Sequence, residues 1–364
     1  MTLKKRIRKA IKQFARVATL AALMPYKVLH LPPSLLPKGL RNFVQFWSLR
    51  MMWVYVSSFG SRAYIDQPCV LEDPPTFQPR AEPVDEKNRM SEEEIRRFYE
   101  RGVGGPYTAI SEAEMREFSR MLDDELEHES KAFGRKTVRD RHLDMPELFD
   151  LFSNPAIVDR LAQLLGPDMI VWRSQVFNQM PGAPPITWHQ ATTYMLEDYQ
   201  RPVLEPEDID HLFQLTVWIA VDEATVENGC MQFLPGTHRG RTRTLTLNGK
   251  DGFYAAHFEL DRFTDAEVAP MELKAGQFII FSERTIHGSP GNRSNKRRLG
   301  VNFRAVLPST KIYRDQSQHY AMHLEETWAL DKWGVVLLRG QDRYGYNKVV
   351  QPPRHPPQAI ASGQ

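Results

Sequence analysis

The sequence predicts a mainly β fold with flanking helices, arranged as a double-sheet jelly roll. Two observations carry that expectation. After Gly166 the chain breaks into short runs rich in β-branched and aromatic residues, the clearest being Met169 to Phe177, Phe213 to Val221, Cys230 to Leu234, Gln277 to Phe281 and Leu299 to Val306. Pro181-Gly182, Asn228-Gly229, Pro235-Gly236, Ala275-Gly276 and Pro290-Gly291 punctuate them as turns. Before Gly166 the signals are helical, and no internal repeat is present. A chain of 364 residues with 25% charged residues is long enough for one large domain with appendages.

Taken in order, the expected parts are a basic amphipathic extension over 1–65, a Pro-rich linker over 66–90, a main domain over 91–352 and a tail over 353–364. Ile7, Ile11, Phe14, Val17 and Leu20 recur at helical spacing, with lysines and arginines on the other face. Twelve basic residues precede the first acid, Asp66, although the whole chain carries a formal charge of only +2. Such a segment packs on the main domain, lies on a membrane surface or docks on an acidic partner. The basic residues alternate with an apolar face rather than with stacking platforms, which argues against nucleic acid. Phe43 to Phe59 is rich in aromatics but broken by Arg50, and no run reaches the ~18 to 20 apolar residues that a spanning helix requires. No small-residue cleavage site follows a short apolar core. A chain beginning near Glu86 is therefore expected to fold without the extension. Cys69 and Cys230 alone suggest no disulfide framework, so the expected location is cytoplasmic, with peripheral membrane attachment as the variant. Cys230, in an apolar run, reads as a small buried hydrophobe.

Pro68, Pro74, Pro75, Pro79 and Pro83 resist helix and sheet and define the linker. Order resumes at two capping boxes, Ser91-Glu92-Glu93-Glu94 and Ser111-Glu112-Ala113-Glu114. Between them Gly104-Gly105-Pro106 is expected to turn the chain. A further helix is expected from Asn154-Pro155 to Gly166, with cap, first-turn proline and terminal glycine in their preferred places.

Of the eleven histidines, two close strands. Pro184-Pro185 and Trp188 lead to His189, and Ile279-Ile280-Phe281 leads to His287. His238 reads as a turn residue or a support behind the ligands, and His128, His142, His319, His323 and His355 as solvated. Two imidazoles and one carboxylate on one face of the metal form the facial triad of non-haem Fe(II) oxygenases. The carboxylate usually stands two residues after the first histidine, and here that position is Ala191. On residue types alone, a histidine pair so far apart is a weak metal signal. Arg298, on the strand after His287, strengthens it, because a guanidinium binds a carboxylate through two charge-assisted hydrogen bonds. The alternative for Lys296-Arg297-Arg298 is an exposed basic cluster.

These stretches resemble the phytanoyl-CoA dioxygenase superfamily of Fe(II)/2-oxoglutarate enzymes, and most closely its halogenating branch, typified by the syringomycin halogenase. The resemblance rests on Trp188-His189-Gln190-Ala191, Leu215-Thr216-Val217-Trp218, Asn228 through His238, Asp251-Gly252-Phe253-Tyr254, Lys274 through Phe278, His287 and Arg298-Leu299-Gly300. It spans roughly 91 to 306 and implies a cupin-like double-stranded β-helix. Position by position it implies His189 and His287 as iron ligands and Arg298 as the anchor of the far carboxylate of 2-oxoglutarate. Phe177 and Trp218 would line the co-substrate pocket. Ala191 would make room for chloride on iron, held through a network containing Thr216 and Arg304. Thr192-Thr193-Tyr194-Met195-Leu196 departs from the family pattern, which has Asp and Asn there.

The resemblance implies a halogenase using Fe(II), 2-oxoglutarate, chloride and O2 to chlorinate an unactivated aliphatic carbon of a small-molecule or carrier-tethered natural product. Two other readings stay open on the sequence. One is a hydroxylase in which alanine replaces the usual Asp, and the other is a barrel-fold binding protein without metal chemistry.

Overall fold

The computed structural model of the chain describes residues 3–37, 40–41, 44, 49–60, 83–190, 203–208, 211–239, 244–247, 256–258, 268–321 and 326–355. Among the described residues seventeen strands run in chain order. They are β1 (Val103–Thr108), β2 (Met169–Gln179), β3 (Ile186–His189), β4 (Leu204–Glu205), β5 (Gln214–Ala220) and β6 (Met231–Leu234). Next come β7 (Thr244–Leu247), β8 (Ala256–Phe258), β9 (Ala269–Met271), β10 (Gln277–Ser282), β11 (Ile286–Ser289) and β12 (Arg298–Val306). The series ends with β13 (Lys311–Ile312), β14 (Gln318–Ala321), β15 (Glu326–Ala329), β16 (Val335–Arg339) and β17 (Val349–Val350). A seven-stranded sheet has the order β1-β10-β5-β12-β2-β16-β17, and a four-stranded sheet the order β3-β11-β6-β9. This is the jelly roll expected from the sequence.

Strand alternation explains the layers. Along β12, Leu299, Val301, Phe303 and Ala305 join a core shared with helical residues such as Phe98, Met115, Phe152 and Leu161. The alternate set, Arg298, Gly300, Asn302 and Arg304, takes the opposite face. A second core lies between the sheets, where Trp218, Ile279 and Phe281 of the large sheet meet Met231 and Phe233 of the small one. Phe233 and Phe281 touch edge to face, with ring centroids 5.0 Å apart. Polar residues on the inner face of the large sheet are therefore held in a desolvated space.

The helices begin where their caps dictate. Ser91 accepts a hydrogen bond from the Glu94 backbone while the Glu94 carboxylate accepts from the Ser91 backbone, starting helix Glu92–Arg101. Ser111 and Glu114 do the same for Glu112–Leu126. Asn154 caps Pro155–Leu165, which stops at Gly166. Gly104-Gly105-Pro106, however, makes no turn. It lies within β1, whose pairing to β10 shifts register between Gly104 and Tyr107. Val103 and Tyr107 pair with Phe281 and Phe278, and an edge strand tolerates a proline where its missing N–H is not needed.

The extension packs on the main domain, one of the three readings the sequence left open, and this packing argues against the expected independence of a chain that begins near Glu86. Helices Leu3–Val28 and Leu49–Ser57 contribute Val17, Leu20, Leu23, Met51, Met52 and Tyr55 to a third core, shared with Trp172, Phe213, Val306 and Trp333 of the main body. A chain beginning at Glu86 would uncover that surface. Among the described residues no helix is long and apolar enough to cross a membrane.

Candidate active site

β3 and β11 are antiparallel neighbours, and the register sets His287 directly opposite His189. The two rings lie 4.3 Å apart between centroids, and both histidines are buried. The Thr285 carbonyl stands 2.7 Å from His287 Nδ1. A carbonyl can only accept, so Nδ1 carries the proton and Nε2 keeps its lone pair. Phe281 packs beside this ring at 4.8 Å and Phe233 stacks on it at 5.9 Å. Burial first, then His189 and Arg304, hold the His287 pKa well below the usual imidazole range, in the neutral form that ligates metals. Gln190 donates to the Arg284 carbonyl at 2.5 Å and so ties down the end of β3.

Two buried imidazoles side by side fit a first-row transition metal such as Fe(II). Among the described residues, no group of three His, Cys, Asp or Glu side chains is placed to hold a metal. Ala191, and the Thr192 to Leu196 stretch after it, lie outside the described residues, as does Asp251-Gly252-Phe253-Tyr254.

Arg298 and Arg297 are separated by strand alternation. Arg297 points outward to Asp123 at 2.7 Å, Asp222 at 2.9 Å and the Ser119 hydroxyl at 3.0 Å. Arg298 is fully buried, donates to Gln179 and to Ser289 Oγ (3.2 Å), and lies 5.4 Å from the Trp218 ring centroid. Its Nε has no hydrogen-bond partner among the described residues, and burial lowers its pKa to about 10. A buried guanidinium with two neutral partners and a donor unused among the described residues has the chemistry to accept a carboxylate. Trp218 and Phe177 join the core between the sheets, and Phe177 is the β2 partner of Gly300. A side chain on Gly300 would overlap the Trp218 ring, so the glycine lets the indole lie flat against β12.

Further along the same face, Thr216 and Arg304 are direct cross-strand partners. The Thr216 hydroxyl is buried with no hydrogen-bond partner among the described residues. Arg304 is six residues from Arg298, ~20 Å at strand rise. Its charge reaches His287, and its guanidinium lies 5.6 Å from the Trp172 ring centroid.

Sequence reasoning missed the supports of this site. Gln179 and Ser289 hold Arg298, and each is two residues beyond a residue already singled out, Phe177 and His287. Alternation could have found both. Arg139 and Arg173 both donate to the Tyr313 hydroxyl, and Arg173 is the β2 partner of Arg304. Nothing in the sequence pairs residues so far apart.

Two histidines expected in solvent are buried. His142 packs against β2, with Nδ1 2.8 Å from Ser174 Oγ, and burial lowers its pKa to about 4. His319 lies 5.0 Å from the Tyr313 ring, among aromatic residues that hide it. His128 and His355 are exposed as expected, and His323 lies outside the described residues. His238 is a buried support whose Nε2 donates to the Tyr99 carbonyl at 2.8 Å.

The family model described as phytanoyl-CoA dioxygenase (PhyH) matches residues 87–300, a stretch containing His189, His287 and Arg298. The chain is 29% identical over 177 residues to a protein named dioxygenase lolE1 from Epichloe uncinata, covering 46% of this chain and 57% of that one. It is 27% identical over 186 residues to a probable alpha-ketoglutarate-dependent hypophosphite dioxygenase from Stutzerimonas stutzeri, covering 48% and 60%. The matches thus span just over half the length of these curated relatives. Among solved structures, CytC3 with Fe(II) and alpha-ketoglutarate is 28% identical, with a TM-score of 0.59 over 72% of this chain and 93% of that one.

Proposed function

This chain belongs to the phytanoyl-CoA dioxygenase family, and we propose that it is an Fe(II)/2-oxoglutarate-dependent oxidising enzyme that chlorinates an unactivated aliphatic carbon of a small molecule. The observation that carries the first part is the opposed pair His189 and His287 on neighbouring strands, with the buried Arg298 on the facing sheet. His189 and His287 would hold Fe(II), and Arg298 would bind the far carboxylate of 2-oxoglutarate. Bound iron, with 2-oxoglutarate and O2, supplies the power to remove hydrogen from an inert carbon.

The protein's own contribution is positioning and exclusion of water. The Thr285 carbonyl holds the proton on His287 Nδ1, so Nε2 would be the nitrogen offered to the metal. Phe233 and Phe281 cover that ring from solvent. Gln179 and Ser289 hold Arg298, and Trp218 beside it would wall a bound co-substrate off from the core.

Two features support chlorination rather than hydroxylation. Two residues after His189, where the usual sequence has the triad's carboxylate, this one has Ala191, so chloride would supply the missing ligand and negative charge. The Thr216 hydroxyl, without a hydrogen-bond partner among the described residues and beside the Arg304 cation, is a donor suited to an anion.

An anaerobic titration of the protein with Fe(II) and 2-oxoglutarate, followed by its visible charge-transfer band, tests both parts. His189→Ala and His287→Ala should each abolish the band, and retention of the band with full iron affinity would overturn the ligand assignment. Chloride should tighten 2-oxoglutarate binding, since both complete one coordination sphere and linkage is reciprocal. Ala191→Asp should remove that coupling. Chloride-independent binding in the natural chain, together with an Ala191→Asp variant that hydroxylates, would leave a hydroxylase and sink chlorination.

A further inference from the structure

The N-terminal helices use one apolar stripe for folding and leave another outside. Helix Leu3–Val28 buries Val17, Leu20 and Leu23. On its opposite side Ile7, Ile11 and Phe14 follow at i, i+4 and i+7 and are 51%, 62% and 70% exposed. Ala18, Ala21, Ala22 and Pro25, also exposed, continue that stripe without a charge. Helix Leu49–Ser57 repeats the arrangement, burying Met51, Met52 and Tyr55 and leaving Leu49 and Trp53 out. The Gln13 side chain donates to the Phe59 carbonyl at 2.6 Å, which brings Phe59, 74% exposed, beside the first helix at Phe14.

Ten of the seventeen large apolar side chains exposed among the described residues fall within the first 60. That concentration separates the region from an ordinary surface, where such residues are scattered singly. The charge is equally one-sided. Lys4, Lys5, Arg6, Arg8, Lys9 and Lys12 lie in the first three turns, and no acid precedes Asp66.

We propose that this face seats the protein on an anionic lipid bilayer, with Ile7, Ile11 and Phe14 entering the acyl boundary and the lysines and arginines meeting headgroup phosphates. A helix with an apolar stripe flanked by basic residues lies in the interfacial plane, and tryptophan prefers headgroup depth. An acidic protein would supply countercharge but would not call for a continuous stripe of Ile, Phe and Ala. This inference stands apart from the proposed chemistry, since neither helix carries a residue of the site.

The test uses the full chain in co-sedimentation with vesicles of phosphatidylcholine containing about 30% phosphatidylserine, at low salt. The natural chain should bind these vesicles at least tenfold more tightly than pure phosphatidylcholine, and salt should weaken the binding because surface charge is screened. Ile11→Glu/Phe14→Glu should lower the partition coefficient at least tenfold, with unchanged thermal stability and unchanged iron binding. Val349→Ser, at an exposed apolar position far along the chain, should change nothing. The proposal is overturned if the natural chain ignores anionic vesicles, or if the double variant binds them as well as the natural chain does. Self-association that rises with concentration and vanishes in the double variant, without vesicle binding, would make the occupant a second copy. Binding to polyglutamate that survives the double variant would make it an acidic protein.

Discussion

Arg298→Met is the most informative single change, because it separates what the guanidinium does for the fold from what it does for a ligand. Burial has pushed its pKa from 12.5 to about 10, a desolvation on the order of 3 kcal/mol borne by the ligand-free protein. Methionine fills a similar volume without that penalty, but it strands the Gln179 and Ser289 side chains at ~1–3 kcal/mol. The two effects oppose each other, so stability without ligand should change by no more than about 2 kcal/mol in either direction. Binding has no such compensation. A carboxylate that loses its buried charged partner loses ~2–5 kcal/mol, roughly 30-fold to several thousand-fold in affinity. The assay is the half-saturating 2-oxoglutarate concentration from the anaerobic titration, set against Tm of the apoprotein. A variant with normal co-substrate binding would refute the anchor assignment. A variant too unstable to purify would mean that Arg298 serves the fold first, and Arg298→Lys, which retains charge without the fork, would then separate the roles through binding alone.

Three further outcomes follow from the packing. His142 and His238 are each held near a pKa of about 4, chiefly by burial, against about 6.5 unfolded. The folded state binds fewer protons, so their contribution, about 3 kcal/mol each, is whole above pH 6.5 and is lost as pH falls toward 4. Urea denaturation of His142→Gln should therefore show a shallower loss of stability over that window, and a slope equal to the natural chain's would contradict it. Gly300→Ala forces a methyl into the Trp218 ring, which should lower stability by ~1–3 kcal/mol and weaken 2-oxoglutarate binding, since Trp218 walls Arg298; an unchanged Tm and unchanged binding would show that the indole moves freely. Starting the chain at Glu86 removes the buried side chains Val17, Leu20, Leu23, Val44, Met51, Met52 and Tyr55. At ~1.5–3 kcal/mol each the loss reaches roughly 10–20 kcal/mol as an upper bound, on the scale of an entire domain's stability. Such a chain should be insoluble or bind a hydrophobic dye strongly, and a soluble, cooperatively unfolding product would refute the shared core.

Local grammar was legible in the sequence because local physics decides it. The caps at Ser91, Ser111 and Asn154 satisfy helix-end donors within a few residues, so their positions can be read without tertiary structure. The strand that closes at His189 was legible for the same reason, whereas His287 does not close the Gln277–Ser282 strand as expected but lies inside a separate one, Ile286–Ser289. The meeting of the two histidines in register was not legible, since residues 98 apart pair only once the jelly roll has closed. His142 was misread because polar neighbours in sequence, Arg141 and Asp144, are themselves buried and paired at 3.0 Å. The extension's packing was left open among three readings because one helix carries two apolar stripes, and periodicity reports the presence of a stripe without saying what covers it.

Site and fold are the same problem in β12. One face of this strand supplies Leu299, Val301, Phe303 and Ala305 to the helical core, and the other supplies Arg298 and Arg304 to the site. Because side chains alternate with period two, a slip of one residue would carry both arginines into the helical core and turn the apolar set toward the histidine pair. Two buried, mismatched guanidiniums would cost several kcal/mol each. The apolar residues therefore fix the register, and the register fixes where the cations stand relative to His189 and His287. A mutation that preserves every site residue but loosens that register, such as Val301→Thr, should weaken co-substrate binding together with stability. Arg298→Met, by contrast, should separate the two.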